Sequence, residues 1–379
     1  MLWIALKMLV GNRGKYVGMI VGVSFAALLI GQQASVFFGI MWHTTSQIRE
    51  VRDADIWVMN PNVEYIDDIK PLRDTDLYRV RGVEGVAWAV KYFKGGSRAR
   101  LDDGQYQQVV LNGVDDATLV GAPRDMIIGS VDDLRKPDAI IIDDLGYRLI
   151  WPDGPFELGK VFEMNDRRAV IVGVCRIGKT FQAFPIIYTR YSEATAFVPV
   201  ERKVLSFVLA KAQPGEDSQE VCRRIEQQCG LRALTRKDFC WQTMYTYFTK
   251  TAIPINFGIT MLLGLIVGAA ITAQTFYMFT LENLRQFGTL KALGTRNSTI
   301  MRMVVFQAVL VGAIGYALGI GLSAIFGDVA RSTARLAFLM PWPVFAGTGA
   351  AVLFIIILSS VLSVRRVLQL DPSAVFQGF

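Results

Sequence analysis

The chain has 379 residues, 52% of them hydrophobic and 19% charged, with a mean hydropathy of +0.35 and a net charge of +7. This composition is too apolar for an ordinary soluble protein and too charged for a bundle of membrane spans alone. The chain has one histidine, which argues against Ser-His-Asp or Cys-His catalysis and against a zinc centre.

Four apolar stretches are long enough to cross a bilayer, whose hydrocarbon core of about 30 Å needs roughly 20 residues of helix. None of them has a charged residue in its core. The first has two interpretations, an uncleaved span or a secretory signal, and its length favours the span because a signal core has about 7–15 residues. The predicted spans are Tyr16–Trp42, Ile253–Leu281, Met303–Phe326 and Val344–Leu362.

The distribution of charge predicts the orientation in the membrane. Basic residues outnumber acidic ones before the first span, between the second and third spans, and in the tail, whereas residues 43–252 hold 29 basic and 30 acidic residues. Because Lys and Arg gather on the cytoplasmic side, we expect both termini in the cytoplasm and residues 43–252 outside the bacterial inner membrane. The basic balance therefore reflects membrane orientation and does not indicate nucleic-acid binding.

Strand and helix signals alternate through residues 43–252. Residues 66–80 read as a helix with Pro71 near its start, and Gly95-Gly96 reads as a turn between strands 86–93 and 105–111. We expect segments 43–114 and 201–250 to form one α+β module, with 115–200 as a β-rich insertion. Further predicted elements are strands 55–59, 139–142, 170–174, 185–188, 204–210 and 231–234 and a helix over 217–229, the last three forming a β-α-β unit.

One motif in this region resembles a nucleotide site. Residues Gly173–Thr180 fit G-x-x-x-x-G-K-T, the phosphate-binding P-loop pattern. That chemistry needs a helix that opens at the lysine, and here Pro185 and a β-rich stretch follow. We therefore expect a turn between strands with Lys179 solvated, and no bound cofactor.

The remaining polar features of the domain have plain interpretations. The acidic pairs Asp102-Asp103, Asp115-Asp116, Asp132-Asp133 and Asp143-Asp144 are expected in solvated turns, since adjacent carboxylates on a strand point to opposite faces.

An oxidising compartment permits disulfides. On one helix, Cys222 and Cys229 would be about 10 Å apart, too far to bond. A Cys229–Cys240 bond and four free thiols both stay open for Cys175, Cys222, Cys229 and Cys240.

A short basic segment lies between the second and third spans, at residues 282–302. Apolar Leu284, Phe287 and either Leu290 or the stem of Lys291 recur at helical spacing, and Gly294 supplies a stop because it accepts a positive φ. The pattern predicts an amphipathic helix at the membrane surface, with basic side chains reaching the lipid headgroups. A plain interfacial linker is the alternative.

The sequence of this segment, ENLRQFGTLKALG, resembles the signature of FtsX/MacB-type ABC transporter permeases, in particular DevC-like or MacB-like exporter permeases without a fused ATPase. Three other segments resemble that family in the same chain order. They are ALKMLVGNRGKYVGMIVGVSF (residues 5–25), KAQPGEDSQEVCRRI (211–225) and VRRVLQLDPSAVFQG (364–378).

The resemblance implies an α-helical membrane protein with four transmembrane helices and a large α+β extracytoplasmic domain between the first and second. Residues 1–42 would hold an N-terminal amphipathic helix and the first span, residues 43–252 the periplasmic domain, and residues 253–379 the permease core. In place of the acid that the family often has, this chain has Gln286. The residues implied to couple to an ATPase are Glu282, Arg285, Phe287, Gly288, Leu290, Lys291, Ala292, Leu293 and Gly294.

The family also implies partners and a mechanism. Two permease copies pair in the membrane, and each docks a separate cytoplasmic ATPase that hydrolyses the ATP. A periplasmic adaptor and an outer-membrane channel complete the tripartite export system, and ATP-driven motion is transmitted to the outer domain to move a hydrophobic or amphiphilic substrate. An FtsX-like transducer that transports nothing and a lipoprotein-sorting permease are the alternatives. No cofactor or metal is implied.

Overall fold

The computed structural model divides the chain into two compact units. A helical unit comprises Met1–Ile40 and Ala252–Phe379, and a mixed α/β unit comprises Met41–Thr251. The structure describes residues 1–11, 13–101, 104–152, 154–178, 184–199, 203–332 and 336–368.

The helices and strands follow one another in the order below, with one 3₁₀ turn labelled η1. They are α1 (Leu2–Gly11), α2 (Arg13–Thr44), α3 (Ser46–Glu50), β1 (Ile56–Met59), α4 (Asp74–Arg81), β2 (Val86–Arg100), β3 (Tyr106–Val114), β4 (Met126–Gly129), η1 (Val131–Arg135), β5 (Ala139–Asp143), α5 (Asp144–Ile150), β6 (Val161–Met164), β7 (Arg167–Cys175), β8 (Ile186–Arg190), α6 (Tyr191–Ala196), β9 (Phe207–Ala212), α7 (Ser218–Cys229), β10 (Arg232–Thr235), α8 (Arg236–Lys250), α9 (Ile253–Glu282), α10 (Leu284–Ala292), α11 (Asn297–Ser332) and α12 (Trp342–Leu368).

Within the described residues, four helices are long and apolar enough to cross a membrane: α2, α9, α11 and α12. They coincide with the four predicted spans, and the α/β unit lies in the chain between the first and the second. The prediction of a four-span protein with a large inserted domain is confirmed. Each helix runs beyond its apolar core, because backbone hydrogen bonding continues past the point where hydropathy falls.

α2 lies at the centre of the helical unit, with 56% of its span buried within the chain, against 17% for the α9 span. Glycines on neighbouring helices allow the close approach. A Cβ added at Gly315 would lie 2.6 Å from Val23, and one at Gly319 would lie 2.5 Å from the carbonyl oxygen of Ser24. The G-x-x-x-G pattern at residues 315–319 thus packs α11 against α2 of the same chain, as small residues do in membrane helices.

The α/β unit is built on strands in the order β10-β1-β9-β2-β3-β8-β5-β7-β4, and β6 pairs with β2 and β7. The long strand β2 links its two parts. Residues 86–92 pair with β9, and residues 93–100 pair with β3. The change of partner therefore falls near residue 93, whereas the boundary expected between module and insertion lies at 114.

The last part of the unit is a split β-α-β arrangement. β1 pairs antiparallel with both β9 and β10, so it lies between the two strands that α7 connects. α7 begins where the Asp217 side chain accepts from the N–H of Gln219, and it ends at Gly230, whose φ is 65°. Val221 and Ile225 on its inner face join the core beneath β1 and β9.

The predicted helix over residues 66–80 is wrong in its first half, since helix α4 begins only at Asp74. Pro71 has no N–H to donate to a helix, and Leu72 instead donates its N–H to the carbonyl of Leu205, 2.9 Å away. That bridge draws the backbone into sheet pairing. The helix starts after it, where the Asp76 carboxylate accepts from the N–H of Arg73 at 2.9 Å.

The predicted turn at Gly95-Gly96 is also wrong, because both glycines lie inside β2 and pair with Leu111 and Val110. A Cβ at Gly95 would lie 2.7 Å from the ring of Phe93. The glycine therefore makes room for an aromatic ring that covers the strand. The chain reverses further on, near Gly104, whose φ is +81°.

Candidate coupling site

The coupling segment is a helix-break-helix unit at one end of α9. Asn283 interrupts the helix, and its side-chain amide donates to the carbonyl of Phe279 at 2.8 Å. α10 then ends in a Schellman closure, since Gly294 has a φ of 86° and the N–H of Thr295 donates to the carbonyl of Leu290 at 3.1 Å. The predicted short helix with a glycine stop is confirmed.

One face of α10 is held in the helical unit. Phe287 is 1% exposed and belongs to a buried cluster with Leu9, Phe276 and Phe279. Gly288 is also buried, and Leu284 and Leu290 are half-buried. Predicted site residues 287 and 288 therefore face the protein's own core and are not available to touch a partner.

The opposite face and the C-terminal tip of α10 are open. Arg285 and Ala292 are exposed, Lys291 is half-buried, and Leu293 is 78% exposed. Because Leu293 is so exposed, little of its side chain packs within its own chain. It lies directly before the exposed turn at Gly294. The implied coupling residues thus divide into an anchoring face and an outward face, a division that the sequence pattern alone left unassigned.

Glu282 forms an ion pair with Lys15 at the start of α2. The pair joins two spans that are distant in sequence, and both side chains are partly exposed. Sequence reasoning missed Lys15 as part of this site. Its only signal was that Glu282 is the sole acid in the basic segment between the second and third spans.

α1 is a second element that sequence reasoning did not place at the site. Gln307 of α11 donates its side-chain amide to the carbonyl of Ala5 at 2.7 Å, and Leu9 packs into the cluster that holds Phe287. An open groove of about 490 Å³ lies between α1 and the α9–α10 junction. It is lined by Lys7, Met8, Gly11, Glu282, Asn283 and Gln286.

The P-loop-like motif has a different structure where it is described. Gly173 is inside β7, and the N–H of Gly178 donates to the Glu50 carboxylate at 3.1 Å. The Glu50 carboxylate therefore already accepts from a backbone N–H that a phosphate-binding loop would donate to phosphate. Lys179 and Thr180, including the expected solvation of the lysine, lie outside the described residues.

The four cysteines Cys175, Cys222, Cys229 and Cys240 are free thiols. Of the two open interpretations, the structure supports free thiols over a Cys229–Cys240 bond. Burial raises the pKa of Cys175 and raises the pKa of Cys222 to about 12. These thiols stay protonated at neutral pH and are poor nucleophiles.

The acidic pair Asp143-Asp144 does not lie in a solvated turn as predicted. Asp143 is 5% exposed at the end of β5, and its carboxylate accepts from the N–H of Ile186 at 2.7 Å. Burial raises its pKa to about 7. Asp102 and Asp103 of another predicted pair lie outside the described residues.

Comparison with known families follows the same division of the chain. Residues 17–228 match the MacB-like periplasmic core domain, and residues 258–372 match the FtsX-like permease C-terminal family. The chain belongs to the FtsX/MacB-type family of ABC transporter permeases. The α/β unit of the permease is therefore its MacB-like extracytoplasmic domain, carried between the first and second membrane helices.

Individual relatives match only parts of the permease. MacB of Photorhabdus laumondii, a macrolide export ATP-binding/permease protein, is 26% identical over 206 residues, 52% of this chain and 31% of that protein. An uncharacterized ABC transporter permease of Mycobacterium bovis is 32% identical over 113 residues, 30% of this chain and 31% of that one. This chain thus spans about a third of the length of these two relatives.

Among solved structures, the periplasmic region of MacB from Actinobacillus actinomycetemcomitans aligns with a TM-score of 0.37 and 14% identity, over 52% of this chain and 95% of that one. The extracellular domain of the noncanonic ABC-type transporter YknZ from Gram-positive bacteria aligns with a TM-score of 0.34 and 14% identity. It covers 48% of this chain and 98% of that domain.

Proposed function

We propose that this permease is the membrane subunit of a tripartite ABC export system. A separate cytoplasmic ATPase hydrolyses ATP, and the permease transmits the resulting motion to the extracytoplasmic domain, which moves a hydrophobic or amphiphilic substrate outward. The protein lies in the bacterial inner membrane with both termini in the cytoplasm. It acts with a second copy of itself, a periplasmic adaptor and an outer-membrane channel.

The observation that carries this proposal is the two-faced packing of α10. Phe287 locks the inner face into the cluster that also contains Met19 of α2 and Phe276 of α9. Because protein interiors are close-packed and resist compression, a displacement of α10 moves the spans that it touches. A force applied to the outward face therefore reaches the two helices that flank the extracytoplasmic domain in the chain.

The implied coupling residues take separate roles in this mechanism. Phe287 and Gly288 transmit the displacement, and the Glu282–Lys15 pair holds the end of α9 to the start of α2. The residues of the outward face meet the ATPase. These are Arg285, Lys291, Ala292, Leu293 and Gly294, with Leu290 at the border between the two faces.

The test is the substitution Leu293→Asp. A leucine 78% exposed on the chain has most of its apolar surface free to be buried against the ATPase, so an aspartate there weakens docking on the order of 2 kcal/mol or more. We expect at least a tenfold loss of the ATPase that co-purifies with the permease and of substrate-stimulated ATP hydrolysis. Pull-down and hydrolysis assays on the co-expressed complex measure both.

Leu149→Asp is the matched control, because Leu149 is also exposed, at 52%, but lies on α5 of the extracytoplasmic domain. It should leave both readouts at the wild-type level. Full ATPase recovery and hydrolysis in Leu293→Asp, with normal membrane insertion, would remove α10 as the docking element.

A further inference from the structure

Several hydroxyl groups on the span helices bond to their own helix. A serine or threonine in a helix commonly donates to the carbonyl four residues earlier, which pairs the hydroxyl inside an apolar bundle. Residues that do this are Ser35 in α2, Thr260, Thr275 and Thr280 in α9, and Ser359 in α12. They show how this chain ordinarily satisfies a hydroxyl on a span.

Ser323 of α11 and Thr348 of α12 depart from this pattern. They are 0% and 1% exposed, and their hydroxyl oxygens have no hydrogen-bond partner among the residues that the structure describes. A polar group buried in this way destabilises the fold unless something pairs with it, and native proteins pair nearly all such groups. The two hydroxyls therefore need a partner from outside their own helices.

Both hydroxyls lie beside Gly31 of α2, where no side chain fills the space. A Cβ added at Gly31 would lie 3.6 Å from Oγ of Ser323, 3.7 Å from Oγ1 of Thr348 and 3.2 Å from the terminal methyl of Ile320. Among the glycines that the structure describes, only Gly31 has two unpaired hydroxyls so near. The missing side chain thus leaves a small cradle between α2, α11 and α12.

The size and chemistry of this cradle select its ligand. Neighbouring atoms at 3.2–3.7 Å leave room for a group no larger than a methyl, which is also about the size of a water molecule. The two hydroxyl oxygens are about 0.8 Å beyond ordinary hydrogen-bond length from the centre of the cradle, a gap that a small shift of a water or of either side chain closes. A calcium or magnesium ion would need about six oxygen ligands, more than two hydroxyls supply.

We propose that one water molecule binds in the cradle formed by Gly31, Ser323 and Thr348 and bridges α11 to α12 where both pack on α2. Each hydroxyl then has a partner, and the water has the two polar contacts that a buried water requires at the least. Such a bridge is nearly as favourable as a direct hydrogen bond. The site goes beyond the proposed function, since it needs neither the ATPase nor a substrate.

A double-mutant cycle on the thermal unfolding of the full chain in lipid nanodiscs tests the bridge. Ser323→Ala and Thr348→Val each remove one hydroxyl and leave the other groups of the bridge short of a partner. We expect each variant to lower the melting temperature by roughly 2 °C or more. The double variant leaves neither hydroxyl unpaired, so it should melt no lower than the less stable of the two single variants.

Thr280→Val is the matched control, because Thr280 is also 1% exposed but donates to the carbonyl of Phe276 in its own helix at 2.9 Å. Its effect should add to that of Ser323→Ala in the corresponding double variant. The same additivity between Ser323→Ala and Thr348→Val would overturn the bridge. So would a single variant of the cradle that melts at or above the wild-type temperature, since removal of a buried hydroxyl that has no partner is stabilising or neutral.

A density map of the full chain, at a resolution that shows ordered water, locates the ligand directly. We expect a peak within hydrogen-bond distance of both hydroxyl oxygens in the wild type, and its loss in Gly31→Ala, whose methyl group fills the cradle. Gly347→Ala, at a glycine of α12 where a Cβ would meet nothing within 4 Å, should keep the peak. A wild-type map in which Ser323 and Thr348 bond to each other or to their own helices, with no such peak, would refute the proposal.

Discussion

At the scale of single residues, Asp143 makes the stability of the extracytoplasmic domain depend on pH. Burial raises its pKa to about 7 from an ordinary value of about 3.9. Between those values the folded domain holds a proton that the unfolded chain has lost, so stability is highest below pH 4 for this group and falls as the pH rises to 7. The loss is at most on the order of 4 kcal/mol.

Asp143→Asn should remove this contribution. The amide oxygen can still accept from the N–H of Ile186, so the fold is kept, and the fall in stability between pH 5 and pH 8 should shrink. Thermal unfolding of the full chain, followed by the fluorescence of buried Trp57 and its neighbours, measures the change. Asp132→Asn, at an exposed carboxylate, should retain the wild-type profile, and equal profiles for all three proteins would contradict the assignment.

Residue identity alone misassigned several of these side chains. Asp143 and Asp144 look alike in the sequence, and only the position of Asp143 at the buried end of β5 distinguishes it. Phe287 and Leu293 are both apolar members of one motif, yet the first is buried and the second is 78% exposed. Burial depends on how the elements pack against one another, so residue type alone does not predict it.

At the scale of elements, the packing of α11 against α2 depends on Gly319. A Cβ at that position would lie 2.5 Å from both Ala27 and a backbone oxygen of Ser24. Gly319→Leu must therefore push two spans apart or distort them, at a cost on the order of 1–3 kcal/mol. We expect a lower melting temperature and less monodisperse protein in size-exclusion chromatography after heating.

Gly321 provides the control, since a Cβ there would meet nothing within 4 Å. Gly321→Leu changes the same residue type on the same helix and should melt as the wild type does. If the two variants melted at the same temperature, the close approach at Gly319 would not contribute to stability.

Some elements were predicted correctly from the sequence, and others were not. The four spans and the glycine stop after α10 follow from local properties, namely apolar length and the φ preference of glycine. The helix expected from residue 66 and the turn expected at Gly95 both failed. Leu72 pairs with Leu205, and Gly95 lies beneath Phe93, so partners in the sheet overrode local signals.

At the scale of the whole molecule, the charge pattern predicts the orientation. Lys211, exposed on β9, and Leu293, exposed after α10, should lie on opposite sides of the membrane. In intact cells a membrane-impermeant maleimide should label Lys211→Cys strongly. Leu293→Cys should react only after the membrane is permeabilised.

Wild-type protein is the control for these reagents, because three of its four thiols are buried and the fourth is half-buried. The reverse labelling pattern would place the large domain in the cytosol. The proposed direction of transport and the docking of a cytoplasmic ATPase at α10 would then both be excluded.

The sequence by itself determined the number of spans, the insertion of one large domain and the membership of a permease family, because hydropathy, charge bias and motif are read from residues close together in the chain. Only the tertiary structure decided that Lys15 pairs with Glu282, that α1 lines the groove at the α9–α10 junction, and that α8 turns its aromatic residues outward. Each of these joins or separates side chains that are far apart in sequence. Their positions depend on the packing of whole helices and sheets, which no local pattern records.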